Sequence, residues 1–312
     1  MSHRRNEALA RIRVLPGSVP YTNRRRLNVG GRFDGLTLAD FLAQRHAHIE
    51  ASVWAASASA GRLEIDGAPV HDLERIVRAG NQLVHIIPDE VEPPVAHDLR
   101  VVYEDPQLLA LHKPAPLPVH PSGRFNKNTV VGLLAVACPD LAPHPVHRLD
   151  ADTTGLLLMA KTPEAARHLG AQFEARRVDK RYLARIHGAP LPDAWTIDRP
   201  VRRSPDATGK RTATEGAAAR THVRVVERGA ESLIEVAPSS GRTNQIRVHL
   251  AADEHPIVGD QAYGPDAQDA FMSGGPLCLH AWSITVRHPD DERLCTFTAP
   301  PPAWASTAVA RE

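Results

Sequence analysis

The stretch from Pro88 to Asp98 sets Pro88, Pro93 and Pro94 among acidic residues, and neither a helix nor a central strand runs through such a segment. Residues 88–98 therefore read as an extended linker, and the parts on either side each have to bury a core of their own. On the N-terminal side, Leu38, Phe41 and Leu42 recur at helical spacing between Thr37 and Ala47, with Asp40 early and Arg45 late, as a helix dipole favours. The segment Arg62 to Gly67 alternates and ends in Asp-Gly, a strand running into a tight turn, and Leu83 to Ile87 is a further short strand. Residues 27–87 are thus expected to form a small α/β domain. Ahead of it, Arg4, Arg5, Arg11, Arg13, Arg24, Arg25 and Arg26 face the single acid Glu7, among Pro16, Gly17 and Pro20 and without sustained periodicity. Residues 1–26 read as a mobile basic arm.

Beyond the linker, residues 99–312 carry strand patterns at Leu99 to Tyr103, Leu108 to His112, Gly155 to Ala160, Arg181 to His187, Thr221 to Val226 and Leu233 to Val236. Helical patterns lie between them at Thr129 to Cys138, Pro163 to Arg176 and Thr243 to Ala252. The strands alternate rather than forming unbroken apolar runs, which points to a mixed, mostly antiparallel sheet with flanking helices, hence an α+β class.

A formal net charge of +1 gives no global attraction to nucleic acid, so any such contact has to rest on local charge. Besides the N-terminal arginines, basic runs occur at Arg176 to Arg181 and from Arg199 to Arg211. Cys138, Cys278 and Cys295 fall at no metal-ligand or disulfide spacing, which suits a reducing, cytoplasmic compartment. No apolar run approaches the roughly 20 residues that cross a bilayer. Although there are 17 histidines, no His-Glu-x-x-His or paired Cys-x-x-Cys occurs, so a metal-dependent hydrolase is disfavoured and no metal is expected.

Three polar clusters have the composition of a reaction site. His147-Arg148-Leu149-Asp150 runs through Asp152, Thr153, Thr154 and Gly155 into an apolar strand. If the first four residues are extended, Arg148 and Asp150 share one face, where the cation would hold the carboxylate ionised; a surface ion pair followed by a turn accounts for the same residues. Ser239 to Leu250 changes from loop to helix at Thr243, a good N-cap. Ile246 and Leu250 would anchor that helix, with Arg247 at the edge of a pocket. In Lys180-Arg181-Tyr182-Leu183-Ala184, Tyr182 lies on a strand face with Ala184 and Ile186. Packing is the ordinary role for such a tyrosine, and its ring is also able to stack on a flat base.

In order along the chain, these clusters resemble the motifs of the RluA-type pseudouridine synthases. His147-Arg148-Leu149-Asp150 with Thr153-Thr154-Gly155 is similar to the signature around that family's catalytic aspartate. Lys180 to Ala184 resembles its tyrosine motif, and Gly241 to His249 its arginine motif. Lys113-Pro114, Val119-His120-Pro121 and Leu279-His280-Ala281 also look like family segments. Residues 32–87 resemble, more loosely, a small RNA-binding domain of the ribosomal protein S-four type.

The resemblance implies isomerisation of uridine in structured ribosomal or transfer RNA to pseudouridine, by a monomer that needs no cofactor or membrane. It implies catalytic roles for Asp150, Tyr182 and Arg247. Arg247 would be the ion-pair partner of Asp150, and Tyr182 would stack on the uracil and help remove the proton from carbon 5. Arg148, Leu279, Arg242, His147 and Thr154 would bind substrate. A catalytically silent RNA-binding protein of the same fold is the alternative.

Overall fold

A computed structural model describes residues 2–47, 49–204, 210–265 and 276–305. The chain divides into two compact units, one of residues 1–16 with 94–312 and the other of residues 17–93. The first unit opens with α1 (Ser2–Ala10). The second contains β1 (Tyr21–Asn28), α2 (Leu38–Arg45), α3 (Ala51–Ser59), β2 (Leu63–Ile65), β3 (Ala68–Pro69) and β4 (Gln82–Glu90). Its sheet has the order β1-β4-β2-β3 and is antiparallel throughout. Leu38, Phe41 and Leu42 on α2 pack with Trp54 of α3 and Leu63, Ile65 and Leu83 of the sheet into one core.

The larger unit continues with β5 (Arg100–Glu104), β6 (Leu108–Lys113), α4 (Val130–Ala137), β7 (His144–Pro145), β8 (Thr154–Ala160), α5 (Pro163–Glu174) and β9 (Asp179–His187). It ends with β10 (Ala194–Asp198), β11 (Val201–Arg203), β12 (Arg211–Ala217), β13 (Arg220–Glu227), β14 (Glu231–Pro238), α6 (Gln245–Ala252), β15 (Leu279–Arg287) and β16 (Leu294–Thr298). Its main sheet runs β10-β13-β14-β9-β15-β8-β6-β5, with β16 on β15 and β7 on β8. The β15–β8 pair is parallel and the other pairs described are antiparallel, so the sheet is mixed and mostly antiparallel. Leu156 to Ala160 are all buried because β8 is an interior strand covered on both faces. Thr129 and Thr162 cap α4 and α5 through side-chain oxygens that accept from backbone N–H groups. No helix among the described residues is long and apolar enough to cross a membrane.

Residues 1–26 are not an arm. Leu9 and Ile12 are buried in the core beneath β5, β6 and α4. The side chain of Asn6 pairs with Val101 in both directions, donating from Nδ2 to the carbonyl at 3.1 Å and accepting from the amide at 2.6 Å. That contact satisfies backbone groups of β5, the terminal strand of the sheet. Arg5 makes two hydrogen bonds to Asp140, at 2.7 and 2.9 Å. Arg24 to Arg26 lie on β1, where Arg24 and Arg25 pair with Glu64 and Glu90. The arginines masked two short apolar anchors and an alternating strand. The small unit accordingly begins at Gly17 rather than residue 27. The expected linker from Pro88 is shortened because β4 continues to Glu90. Of the basic run from Arg199 to Arg211, residues 205–209 lie outside the described residues.

Leu9 has 2% of its surface exposed, so Leu9→Ala should remove about 2 to 5 kcal/mol of stability, measured by urea denaturation of the whole chain. A passive arm would give no change.

Candidate active site

A cavity of about 440 Å³ opens in the larger unit where the loop before β8, strand β9, the start of α6 and the first residue of β15 converge. Asp150, Tyr182, Arg247, Arg148, Arg242, His147 and Leu279 all line it. Thr154 does not line it. Its hydroxyl is engaged with His280 Nδ1 at 2.8 Å, which ties the start of β8 to β15.

The Asp150 loop is fixed from three sides. Leu149 is buried in the core, and His147 Nε2 accepts from the Leu158 amide at 2.9 Å while its ring stacks on Phe173 of α5 at 4.9 Å. Burial pushes the His147 pKa down to about 3, so the imidazole is neutral and acts as an acceptor. His147 thus holds the loop, although it also forms part of the wall. On the C-terminal side, the Thr153 amide donates to the Asp150 carbonyl at 3.1 Å. The ammonium of the fully buried Lys113 donates to the carbonyls of Pro114, Leu117 and Ala151, each at 2.9 Å. Desolvation brings the Lys113 pKa down to about 7, against the opposing pull of Asp152 and Asp150.

Gly155 completes the anchorage. Its φ is +107°, and a Cβ there would lie 2.2 Å from the Ala281 carbonyl oxygen. Only glycine allows β8 to approach β15 closely enough for the parallel pairing of Thr154 with His280 and Gly155 with Ala281.

Tyr182 occupies the middle of β9, between Val236 of β14 and Ala281 of β15, and packs against two adjoining cores. Burial, reinforced by the negative charge of Asp150, raises its phenol well above the usual range and keeps the hydroxyl protonated.

Arg247 differs most from the sequence expectation. Its guanidinium is engaged in a fork with Asp260, Nε to Oδ2 at 2.8 Å and Nη2 to Oδ1 at 2.7 Å, and lies 5.3 Å over the Tyr263 ring. The Asp260 side chain has no exposed surface, and its Oδ1 also accepts from the amides of Ala262 and Tyr263. Arg247 is thus ion-paired with Asp260, and no ion pair joins it to Asp150 among the described residues. The helix also begins later than the sequence implied. Asn244, in the left-handed region at φ 56°, takes the N-cap place expected of Thr243, and its amide donates to the Tyr263 hydroxyl at 3.1 Å. The preceding loop is organised by Gln245, which accepts from the Ser240 hydroxyl and the Arg242 amide.

Among the described residues, the Asp150 carboxylate has no side-chain hydrogen bond or ion pair, although it is only partly exposed. Burial raises its pKa above the ordinary carboxylate value, Arg247 and then Arg148 pull it back, and Asp152 adds to the rise. The cavity thus offers an available carboxylate, a neutral phenol, an apolar contact from Leu279 and the exposed cations Arg148 and Arg242.

Asp260 and Lys180 were not singled out in the sequence. Asp260 stands in a loop with no periodic relation to Arg247, so no spacing marks it. Lys180, two residues before Tyr182, alternates onto the same side of β9, and its Nζ donates to the Ser240 carbonyl at 3.0 Å. Desolvation and then Arg176 lower its pKa to about 8, against Asp179.

Residues 107–252 match the family described as RNA pseudouridylate synthase. An RNA pseudouridine synthase of Synechocystis is 34% identical over 285 residues, spanning 86% of each chain. A ribosomal large subunit pseudouridine synthase D of Nitrosomonas europaea is 34% identical over 307 residues, 92% of this chain and 87% of its own length. Among solved structures, the human RNA pseudouridylate synthase domain containing 1 protein superposes with a TM-score of 0.57 at 25% identity, over 69% of this chain and 89% of that one. The chain belongs to the RNA pseudouridylate synthase family.

Proposed function

We propose that the chain isomerises specific uridines in structured ribosomal or transfer RNA to pseudouridine, with Asp150 as the reacting carboxylate. The observation that carries this reading is the unpartnered, desolvated Asp150 on a cavity that also presents Tyr182 and Leu279. A uridine within a helix has to leave its stack to reach such a site, and Arg148, exposed beside Asp150, is suited to hold the displaced nucleotide. Three free thiols support a reducing, cytoplasmic setting.

The reaction breaks the bond between C1′ of the ribose and N1 of uracil, turns the base and joins C1′ to C5. N1 ends protonated and C5 gives up its proton, so the conversion is an isomerisation with no change of oxidation state. As the C1′–N1 bond lengthens, positive charge grows on the ribose, and an ionised carboxylate stabilises it. Asp150 suits that task because no neighbour is hydrogen-bonded to its oxygens, while Arg247 and Arg148 favour the ionised form.

Tyr182 supplies a ring for the uracil to pack on. Its phenol is a poor base while Asp150 is charged, since that charge is the second cause of its raised pKa after burial. Once Asp150 is neutralised, by protonation or by bonding to the substrate, that second cause disappears. Tyr182 can then accept the C5 proton as its own hydroxyl proton passes to water.

Mapping pseudouridine in total RNA from cells with and without the gene should reveal sites lost on deletion; an unchanged map would sink the reading. Asp150→Asn should abolish tritium release from RNA labelled at uridine C5. Because it removes a desolvated charge, it should leave urea stability equal or higher. Asp260→Asn should do the opposite to the fold, costing about 3 to 5 kcal/mol by stranding the buried Arg247 charge. The rate should fall as pH drops through the Asp150 pKa, which lies above the ordinary 3.8. Arg148→Ala, by removing a cation that favours ionisation, should move this acid limb to higher pH; a limb shifted downward would contradict the assignment.

A further inference from the structure

A second cavity, of about 280 Å³, adjoins the first, and Arg148 and Leu149 line both. Its other walls include Val119, His120, Arg124 and Phe125, with Ala151, the residue after Asp150. Its volume is at the small end of ligand cavities, the scale of one planar ring with its attachments rather than a long oligomer.

The turn that carries its aromatic wall is tightly built. The Ser122 amide donates to the Phe125 carbonyl at 2.9 Å, and the Phe125 amide donates to the Ser122 carbonyl at 3.0 Å. Gly123, at φ 57°, occupies the first of the two turn positions between them. Phe125 is half-buried and packs against the main core, which holds the ring in place; the Arg124 guanidinium stands over it at 5.9 Å. No acid lines this cavity, and neither Arg124 nor Arg148 has an acidic partner among the described residues. A fixed aromatic ring with two unpaired cations beside it is the combination that binds an unstacked nucleotide, the ring taking the base and the cations the phosphates.

We propose that this second cavity receives the base of a nucleotide adjacent to the target uridine, with Phe125 as its platform and Arg124 and Arg148 at the flanking phosphates. The inference rests on the uridine-isomerising reading and narrows it. Two neighbouring bases have to leave the stack together, so the favoured substrates carry the uridine in a loop or bulge rather than a continuous duplex.

The test is a cycle between protein and RNA. A synthetic stem-loop around the mapped uridine is prepared intact and with a single abasic ribose immediately 5′ or 3′ of it, and single-turnover efficiency is measured. For wild type, one of the two abasic RNAs should be on the order of 10- to 100-fold poorer than the intact RNA. Phe125→Ala should reduce efficiency on intact RNA by a similar factor and lose nothing further on that abasic RNA, whereas Phe125→Trp should retain the wild-type sensitivity. Equal sensitivity of wild type and Phe125→Ala to both abasic sites would overturn the proposal, because the two losses would then be independent. If wild type fails to isomerise even the intact RNA, the functional reading falls and this one with it. Isomerisation of the intact RNA with independent penalties removes the second cavity's role alone.

Discussion

The parallel contact between β8 and β15 is the constraint on which the site depends. The main sheet consists of two antiparallel runs, β10-β13-β14-β9-β15 on one side and β8-β6-β5 on the other, joined at this contact. One run supplies Tyr182 and Leu279, while the other is preceded by the loop that carries Asp150. The paired residues at the join are Thr154 with His280 and Gly155 with Ala281, only four and five positions after Asp150. A Cβ at position 155 would overlap the Ala281 backbone, and a lost hydroxyl at position 154 would leave buried His280 without its partner at Nδ1. Neither residue lines the cavity, yet the spacing of Asp150 from Leu279 rests on both.

Around this join the loop is held by groups that keep away from the carboxylate itself. Lys113 fastens Ala151 through its carbonyl, His147 accepts from Leu158, and Leu149 fills the core. Each places Asp150 without bonding to its oxygens. A carboxylate saturated by local donors would be more stable and less reactive, so the anchors are best spent on the backbone on either side.

The positions of Asp150, Tyr182 and Arg247 along the chain, and the mixed sheet that gathers them, were legible because local pattern records them. Short apolar runs marked β6, β8 and β14, alternation marked β9, and the Ile246–Leu250 spacing marked α6. α1, α3 and β1 escaped because none of them carries an apolar stripe. α3 reads Ala-Ser-Val-Trp-Ala-Ala-Ser-Ala-Ser and buries only Trp54, Ser57 and Ala58, while α1 sits in the core through Leu9 with Ile12 just beyond its end. β1 looked like a basic tail because its buried Asn23 and Leu27 are separated by three consecutive arginines, two of which find acids on β2 and β4. Pairings between loops and helices leave still less trace. Nothing in the run Gly259-Asp260-Gln261 indicates that its carboxylate receives the Arg247 fork, since the two meet only through the tertiary fold.

That unrecorded pair explains how one arginine stabilises two acids in different ways. A guanidinium free to choose would form a fork with the nearer carboxylate, and a fork on Asp150 would occupy the oxygens that the proposed reaction needs. Asp260 takes the Nε–Nη2 edge of the guanidinium, and the amides of Ala262 and Tyr263 fix Asp260 in turn. In a buried site, charge interactions persist beyond contact distance because little water screens them. Arg247 can then favour ionisation of Asp150 while leaving its oxygens open to the substrate. Sequence resemblance assigns Arg247 and Asp150 to one site; their separation of roles depends on an acid that the resemblance does not mark.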